Sequence, residues 1–357
     1  MSTSKHSAFQ SQLFYSLVAE MLKEVERELI EIKSVRFLCN YPWPPGKRLR
    51  PITFLLSNLS VRVEKPHNVY VNGRELRLAA AIELFHEASL IHDDLVDRSY
   101  IRRGVPSMQV VNGDGLALLI GDYMIFRGLK LILDSAETKN DIILAKELAN
   151  TGLQIAHGEA DQLDRYLNKR GLEDRMSLDN YLNVIAKKTA AFFAGCAEVG
   201  ATLAGANAEQ QEVYREFGMN MGIVFQIMDD LMDIFGDPKI AHKTLRNNIS
   251  EGTITLPMIH AWELYSNDWA ICRVASGKPL DQRLQDSLYQ KLASKEVLTL
   301  SEKTMNRYVV QTEKYLSQMP NNIYRLGLID LFDYIRHCPW GGLEKKINKK
   351  KKNLEEQ

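Results

Sequence analysis

The chain has 357 residues, of which 45% are hydrophobic and 25% are charged, a composition typical of a globular protein with a large core. Lysine and arginine together number 45, aspartate and glutamate also number 45, and the formal net charge at pH 7 is zero. A balanced charge argues against a nucleic-acid partner, because such partners select basic surfaces.

Apolar residues recur at helical spacing along most of the chain, and strand-like alternation is rare. Leu78, Ala81, Ile82 and Phe85 form one such stripe. Turns rich in glycine and proline, such as the one at 42–46, separate these stretches. We therefore predict an all-α fold of ten or more helices, several of them apolar nearly all round and so buried.

No glycine- and serine-rich linker and no repeat period divides the chain, so we predict a single domain over residues 1–340. The lysine-rich segment 341–357 is expected to be a flexible tail. A solvated chain end is the simple interpretation of these lysines, and weak attraction to an anionic membrane surface is the alternative. Charges interrupt the longest apolar stretch, 116–133, so no transmembrane segment is expected. Four scattered cysteines and a polar N-terminus predict a soluble, cytoplasmic protein.

Two acidic clusters share the pattern Asp-Asp-X-X-Asp and are embedded in apolar sequence. Their members are Asp93, Asp94 and Asp97 in the first cluster and Asp229, Asp230 and Asp233 in the second. The outer aspartates of each cluster are four residues apart, so on a helix they share a face, where like charges repel. Oxygen ligands with no nearby cysteine favour Mg²⁺, which usually bridges a few carboxylates to substrate phosphates. We predict a magnesium site for a phosphorylated ligand, with a solvated acidic helix face as the alternative.

Three groups of cationic residues accompany the acidic clusters. They are Lys47, Arg48 and Arg50 after a proline- and glycine-rich turn, Arg102 and Arg103 just after the first acidic cluster, and Lys187 and Lys188 further along. Arginine binds phosphate oxygens in a bidentate manner, and lysine acts as a point charge. Each group alone would be an ordinary solvated surface. Together with two metal sites, they predict a ligand that carries more than one phosphate.

In their order along the chain, these motifs resemble those of the trans-type isoprenyl diphosphate synthases, or polyprenyl synthetases. The matching segments are GKRLRP at 46–51, HDDLVD at 92–97 with Arg102-Arg103-Gly104, Gly121-Asp122, GEADQ at 158–162, Lys188-Thr189, FQIMDDLMD at 225–233 and EGTITLP at 251–257. The resemblance covers residues 46 to 336. It implies an isoprenoid synthase-like all-α helical bundle around a deep apolar central cavity, usually in a homodimer.

The reaction that this resemblance implies is the head-to-tail condensation of an allylic diphosphate with isopentenyl diphosphate, with two or three Mg²⁺ ions per site. The implied metal ligands are Asp93, Asp97 and Asp229, supported by Asp94, Asp230 and Asp233. The implied contacts of the allylic diphosphate are Arg102, Lys188, Thr189, Gln226 and Lys243. Those of isopentenyl diphosphate are Gly46, Lys47, Arg50, His86 and Arg103. A satisfied core histidine is the alternative interpretation of His86.

The resemblance also allows a prediction of product length, because the growing tail of the product in this family runs beside the helix that carries the first motif. Ala88 and Ser89, which precede that motif, are small, and Phe85 stands one turn further back. Four residues correspond to about 6 Å of helix, roughly one isoprene unit. We predict a product longer than fifteen carbons with Phe85 as the floor of its channel; a plain core position is the alternative for Phe85.

Two residues depart from the family pattern near the second motif. Asn248 stands where an aspartate is common, and Thr253 stands where the family usually has lysine. Both changes predict weaker binding of the allylic substrate, and they keep open a non-catalytic or weakly active partner subunit. A class I terpene cyclase is a further alternative, although such enzymes usually carry a second metal site of a different type.

Overall fold

The computed structural model describes residues 23, 25–27, 29–30, 41–44, 46–62, 73–136, 139–167, 176–236, 253–276, 278 and 280–337. This part of the chain contains thirteen α-helices, one turn of π-helix and one two-stranded hairpin. The predicted all-α fold is therefore confirmed. Lys243, Asn248 and the predicted tail 341–357 lie outside the described residues.

The helices and strands are numbered here in chain order. They are α1 (Leu49–Val61), α2 (Gly73–Asp97), β1 (Ile101–Arg102), β2 (Val105–Pro106), α3 (Met108–Asn112), α4 (Asp114–Asp134), α5 (Lys139–Leu167), α6 (Leu178–Ile185), the π-helical turn (Ala186–Ala190), α7 (Ala191–Leu203), α8 (Ala208–Phe235), α9 (Leu256–Leu264), α10 (Trp269–Ala275), α11 (Gln282–Leu292), α12 (Lys295–Gln318) and α13 (Ile323–His337).

The chain divides into two compact units, each built from three separate segments. Unit 1 comprises Met1–Gly152, Phe192–Gly218 and Tyr315–Leu331, and unit 2 comprises Leu153–Ala191, Met219–Lys314 and Phe332–Gln357. The first acidic cluster belongs to unit 1 and the second to unit 2. The single domain that the sequence predicts over 1–340 stays a prediction.

In unit 1, α2 packs against α1 and α4. The sequence favours this packing because α1 and α2 both contain apolar stretches, with Phe54, Leu56 and Leu78 fully or almost fully buried. Gly128 of α4 lets that helix approach α2 closely, since a Cβ atom there would lie 3.3 Å from the carbonyl oxygen of Ala81. The first acidic cluster thus lies in the last turns of a tightly packed helix.

In unit 2, helices α9, α10 and α11 pack on one another around a buried cluster that includes Met258, Ile271 and Leu288. The ends of these helices are defined by local polar contacts. The Asp268 side chain accepts hydrogen bonds from the backbone N–H groups at the start of α10, and Asp281 does the same for α11. Among the described residues, no helix is both long and apolar enough to cross a membrane.

Candidate functional site

A tight hairpin follows the first acidic cluster. Strands β1 and β2 pair through Arg102 and Val105, and the two turn residues, Arg103 and Gly104, have φ angles of 51° and 79°. Positive φ at both central positions is the type I′ geometry that matches the twist of a hairpin. The hairpin turns Arg102 back toward the helix that it follows.

Asp94 is the inward member of the first cluster, with only 2% of its surface exposed. The Arg102 Nε donates to its Oδ1 and Oδ2 at 3.0 and 3.1 Å, and Gln109 donates to its backbone carbonyl at 2.9 Å. Burial raises the pKa of Asp94, while Arg102 opposes this effect. Asp94 therefore anchors the hairpin to α2.

Asp93 and Asp97 lie at the accessible side of the same helix, Asp93 partly exposed and Asp97 exposed. Asp93 forms no ion pair with any residue that the structure describes. Within the described ranges, no three His, Cys, Asp or Glu side chains come together in a group that could hold a metal ion. Because Mg²⁺ needs only one or two carboxylates when phosphate and water complete its shell, the two outer aspartates suit an ion that is bound together with its substrate.

The basic motif at 46–51 divides into residues with different roles. Arg48 has a left-handed backbone with φ of 54° and is buried. Its Nη1 donates to Glu83 at 2.5 Å and to Glu87 at 2.7 Å, and its Nε donates to Glu26 at 2.6 Å. Burial lowers the pKa of Arg48, but these carboxylates outweigh burial and raise it. Arg48 is thus neutralised within the protein, by partners that its sequence neighbourhood does not reveal.

Arg50 is also buried but has no such carboxylates. It forms no ion pair with a described residue, and its Nε has no hydrogen-bond partner. Its guanidinium lies 5.2 Å from the ring centre of Phe192 and 4.7 Å from that of Phe193. Burial lowers the pKa of Arg50. Glu83 and Asp93 oppose this effect without forming an ion pair with Arg50. A buried cation with no carboxylate in direct contact is costly unless an anion joins it.

His86 lies beside Arg50, with its Nε2 3.0 Å from the Arg50 Nη1. Burial lowers the pKa of His86 well below 6.5, and the positive charges of Arg50 and Arg103 lower it further. The imidazole is therefore neutral at pH 7. Its Nδ1 is buried without a hydrogen-bond partner.

Gly46 lies close to two guanidinium groups, because a Cβ atom at position 46 would lie 2.8 Å from the Arg48 Nη1 and 2.9 Å from the Arg103 Nη1. The Arg103 Nη1 donates to the carbonyl of Pro44 at 3.3 Å. Burial lowers the pKa of Arg103, and Glu87 and Glu83 oppose this. Lys47 is exposed. Of the five residues that the resemblance implies for isopentenyl diphosphate, the structure pairs Arg50 with His86 and Gly46 with Arg103.

In unit 2, the π-helical turn presents Lys187, Lys188 and Thr189. π-helical turns occur mostly as single insertions in α-helices, frequently at functional sites. Gly158 of α5 accommodates this turn, because a Cβ atom there would lie 2.7 Å from the Lys188 backbone nitrogen. Lys188 forms an ion pair with Glu159, and Lys187 pairs with Asp161 at 2.9 Å. The GEADQ segment thus supplies the acidic partners of these lysines.

Asp230 is the inward member of the second cluster, with 5% of its surface exposed. Tyr181 donates to its Oδ2 at 2.7 Å, and the Gln226 amide donates to its Oδ1 at 3.0 Å. Gln226 in turn accepts from the Thr189 hydroxyl at 2.8 Å. Burial raises the pKa of Asp230 to about 6, against the lowering effect of Tyr181 and Gln226. The sequence does not identify Tyr181 as a functional residue, because its spacing is that of an ordinary apolar position on a helix.

Asp229 is partly exposed, whereas Asp233 is buried like Asp230. The second cluster therefore differs from the first, in which only the middle aspartate is buried. Thr253 is partly exposed and lies just before α9, whose Leu256 backbone nitrogen is 3.4 Å from the Asp230 Oδ2.

Three residues upstream of the first cluster are the predicted determinants of product length. Phe85 packs on α4, where a Cβ atom at Gly128 would lie 3.2 Å from its Cε2. Ala88 is fully buried, and the Ser89 hydroxyl donates to the carbonyl of His86 at 2.8 Å. The partly exposed ring of Phe85 therefore borders α4, and its role in product length stays a prediction.

Gly121 of α4 has a comparable steric role. A Cβ atom there would lie 2.2 Å from the Nε2 of His92, which is 3.5 Å from the Asp122 carboxylate. Any side chain at position 121 would displace this imidazole. The Gly121-Asp122 pair of the family pattern therefore leaves space for His92, the residue directly before the first cluster.

These features define a class of protein: an all-α chain with two aspartate-rich helices, each accompanied by cationic side chains. The polyprenyl synthetase family matches residues 32–292 of the chain. This match covers more than half of the sequence, and the protein belongs to that family.

Relatives and solved structures are consistent with this membership. The geranylfarnesyl diphosphate synthase of Aeropyrum pernix is 40% identical over 224 residues, which cover 60% of this chain and 66% of that protein. The octaprenyl diphosphate synthase of Escherichia coli (strain K12) is 32% identical over 216 residues, which cover 60% of this chain and 62% of that protein. The chain thus matches less than two thirds of the length of these relatives.

Two crystal structures have the same fold over nearly their whole length. A polyprenyl synthase from Caulobacter crescentus CB15, complexed with calcium and isoprenyl diphosphate, superposes with a TM-score of 0.80 at 26% identity, covering 90% of this chain and 96% of that one. A decaprenyl diphosphate synthase from Rhodobacter capsulatus gives 0.77 at 28% identity, covering 90% and 97%.

Proposed function

We propose that this protein is an isoprenyl diphosphate synthase, which condenses an allylic diphosphate head to tail with isopentenyl diphosphate and releases diphosphate. The observation that carries this proposal is the environment of Arg50, a buried cation beside a neutral His86 and without a carboxylate partner among the described residues. A bound diphosphate would supply the missing negative charge. Family membership narrows the anion to the diphosphates of isoprenoid substrates.

In this proposal, isopentenyl diphosphate binds to Gly46, Lys47, Arg50, His86 and Arg103. Arg50 and Arg103 would donate to its phosphate oxygens in a bidentate manner, and Lys47 would add a point charge from the surface. A neutral His86 can donate one hydrogen bond without increasing the positive charge next to Arg50. Gly46 permits the close approach of Arg103 that this arrangement requires.

The allylic diphosphate would bind to Arg102, Lys188, Thr189, Gln226 and Lys243. The structure gives two of these cations internal partners, Asp94 for Arg102 and Glu159 for Lys188. These ion pairs hold the cations in place before substrate arrives, so less conformational entropy is lost on binding. Because these pairs already neutralise part of the positive charge, discrimination between a diphosphate and a less charged ligand would depend on the full charge of the diphosphate.

The donor set fits Mg²⁺, and we propose Asp93, Asp97 and Asp229 as its ligands, with two or three ions per site. Asp94, Asp230 and Asp233 are the buried supporting residues. Bound Mg²⁺ would neutralise the diphosphate charge that develops as the allylic carbon–oxygen bond breaks. The arginines and lysines stabilise the same charge from fixed positions, which is the preorganised electrostatic contribution that commonly dominates catalysis.

The carbocation left by the departing diphosphate must meet the double bond of isopentenyl diphosphate rather than water. Residues that fix both diphosphates hold the two carbon centres in line, which supplies a further share of the rate. Apolar side chains around the reacting carbons would exclude water. The released diphosphate is our candidate for the base that removes the final proton.

We further propose a product longer than fifteen carbons. Ala88 and Ser89, which follow Phe85 on α2, have small side chains, and the related proteins include a geranylfarnesyl and an octaprenyl diphosphate synthase. Phe85 would then limit the chain at the position where its ring packs on α4.

A homodimer is the proposed assembly, with α4 in its interface. This helix exposes large apolar side chains, including Leu118 at 50%, Leu119 at 62% and Phe126 at 68%. The nearby exposed residues Val110 and Val111 extend the apolar surface. Monomeric proteins rarely expose a contiguous apolar patch of this kind.

We propose a cytoplasmic location as well. Cys196 and Cys272 are free thiols, which supports a reducing compartment. The tail lysines remain a proposed weak contact with an anionic membrane surface.

The decisive experiment incubates the purified protein with Mg²⁺, labelled isopentenyl diphosphate and a series of allylic diphosphates. We expect incorporation of label into a product that chromatography places above fifteen carbons, and loss of incorporation with a chelator. No incorporation with any allylic substrate would overturn the proposal and favour a non-catalytic partner subunit, for which Thr253 is the specific observation.

A further inference from the structure

Tyr181 has no part in the contacts proposed so far, yet it makes a specific buried hydrogen bond. Only 3% of its surface is exposed, and its hydroxyl donates to the Asp230 Oδ2 at 2.7 Å. The Leu256 backbone nitrogen lies 3.4 Å from the same oxygen, and Gln226 donates to the other oxygen at 3.0 Å. The hydrogen-bond donors of this buried carboxylate among the described residues are thus neutral groups, and the Tyr181 hydroxyl is the nearest of them.

The hydrogen-bonded chain continues from Asp230 toward the π-helical turn. The Gln226 amide nitrogen donates to Asp230, and its carbonyl oxygen accepts from the Thr189 hydroxyl at 2.8 Å. An amide has distinct donor and acceptor ends, so a rotation by 180° would turn the carbonyl oxygen toward the Asp230 carboxylate and lose the bond to it. The orientation of Gln226 therefore depends on the position of the Asp230 carboxylate, and that of Thr189 depends on Gln226.

We propose that Tyr181 is a positioning residue for the allylic diphosphate. Its hydroxyl holds the Asp230 carboxylate, and the carboxylate orients Gln226 and Thr189 for the substrate. This inference rests on the proposed function, because the substrate contacts of Gln226 and Thr189 are part of it. Without the hydroxyl, a buried carboxylate loses its nearest donor, and the side chains coupled to it gain alternative arrangements.

A purely structural role for Tyr181 makes a different prediction. If the residue only fills the core, Tyr181→Phe lowers the stability of the protein. It does not change the kinetic constants for one substrate more than those for the other. A matched control is Tyr214→Phe, because Tyr214 is equally buried and its hydroxyl lies 2.6 Å from the Ser60 Oγ in unit 1. Both variants remove one buried hydroxyl and retain the aromatic ring.

Steady-state kinetics separate the two roles. We expect both variants to lower the melting temperature by a few degrees, since each loses one buried hydrogen bond, with the larger loss for Tyr181→Phe because its hydroxyl bonds a carboxylate. Only Tyr181→Phe should lower kcat/KM for the allylic diphosphate, by about tenfold, while KM for isopentenyl diphosphate stays within about twofold. Unchanged constants, or equal losses for both substrates, would overturn the proposal.

A binding measurement keeps this test separate from that of the proposed function. Calorimetric titration with Mg²⁺ and inorganic diphosphate should give about fivefold weaker binding for Tyr181→Phe and wild-type binding for Tyr214→Phe. If the wild-type protein incorporates no isopentenyl diphosphate, the proposed function fails, and the titration still decides the role of Tyr181. Equal binding by all three proteins would show that Tyr181 does not position this site.

Discussion

The Arg102 guanidinium lies against the Asp94 carboxylate, with its Nε 3.0 Å from Oδ1 and 3.1 Å from Oδ2. This pair joins the hairpin to α2 at the first acidic cluster. It distinguishes the buried middle aspartate from Asp93, which forms no ion pair with a described residue. Adjacent aspartates of one motif therefore have different roles, one structural and one available to a ligand.

Asparagine substitutions at the two positions test this difference. Asp94→Asn should lower the free energy of unfolding by about 1–3 kcal/mol, because it removes the buried negative charge that faces Arg102. Asp93→Asn should leave stability unchanged and lower kcat by about 100-fold or more, as expected for loss of a metal ligand. Denaturant titration and initial rates measure the two effects. Asp134→Asn, at an exposed position of α4 beside Lys130, is the control for both. Equal stability of the Asp93 and Asp94 variants would contradict the assignment.

Arg48 and Arg50 are two residues apart, and the structure predicts opposite consequences for their replacement by methionine. Arg48→Met removes the cation that Glu83 and Glu87 share inside the protein, which should cost about 3–5 kcal/mol of stability. Arg50→Met removes a buried cation without a carboxylate partner among the described residues. Its stability should be equal to or above that of the wild type, while KM for isopentenyl diphosphate rises about 100-fold. Thermal denaturation and substrate titration measure both, and a strongly destabilised Arg50→Met would contradict the proposed anion site.

The helices could be predicted from the sequence because apolar spacing is a local signal. The shared face of the outer aspartates could be predicted because four residues make about one helical turn. The partners of the motif residues could not. Glu83 and Glu87 are 35 and 39 residues from Arg48, and Tyr181 is 49 residues from Asp230. No local pattern records such contacts. The residue pattern alone groups three cations at 47–50, whereas packing neutralises Arg48 and leaves Arg50 without an ion pair among the described residues.

Protonation of His86 should reduce stability at low pH. Burial and the neighbouring arginines hold its pKa in the folded protein well below 6.5, so the unfolded chain binds the proton more readily. Stability is therefore complete above a pH of about 6.5 and falls as the pH decreases below it. Between pH 7.5 and 5.5, the loss due to this residue is about 1.4 kcal/mol. Urea titrations of the wild type and of His86→Gln should differ in pH dependence by this amount, and identical slopes would show that folding does not lower the pKa of His86.

Phe85→Ala tests the proposed limit on product length. Removal of the ring opens space between α2 and α4 beside Gly128, so the products should shift to chains longer by one or more isoprene units. Chromatography of the dephosphorylated products measures this shift. Ile82→Val, which trims a fully buried residue one turn earlier on α2, controls for a general loosening of the helix. An unchanged product distribution in Phe85→Ala would assign Phe85 to core packing alone.

Phe126→Glu tests the role of α4 in self-association. Phe126 is 68% exposed in the single chain, so a charge at this position costs little in the monomer. In an apolar interface between two copies, the same charge would be desolvated in each subunit without a partner. We therefore expect a dimer for the wild type and a monomer for Phe126→Glu in light scattering coupled to size exclusion. Val310→Glu, at an equally apolar exposed position of α12, should leave the dimer intact. Dissociation by both variants, or by neither, would place the interface elsewhere.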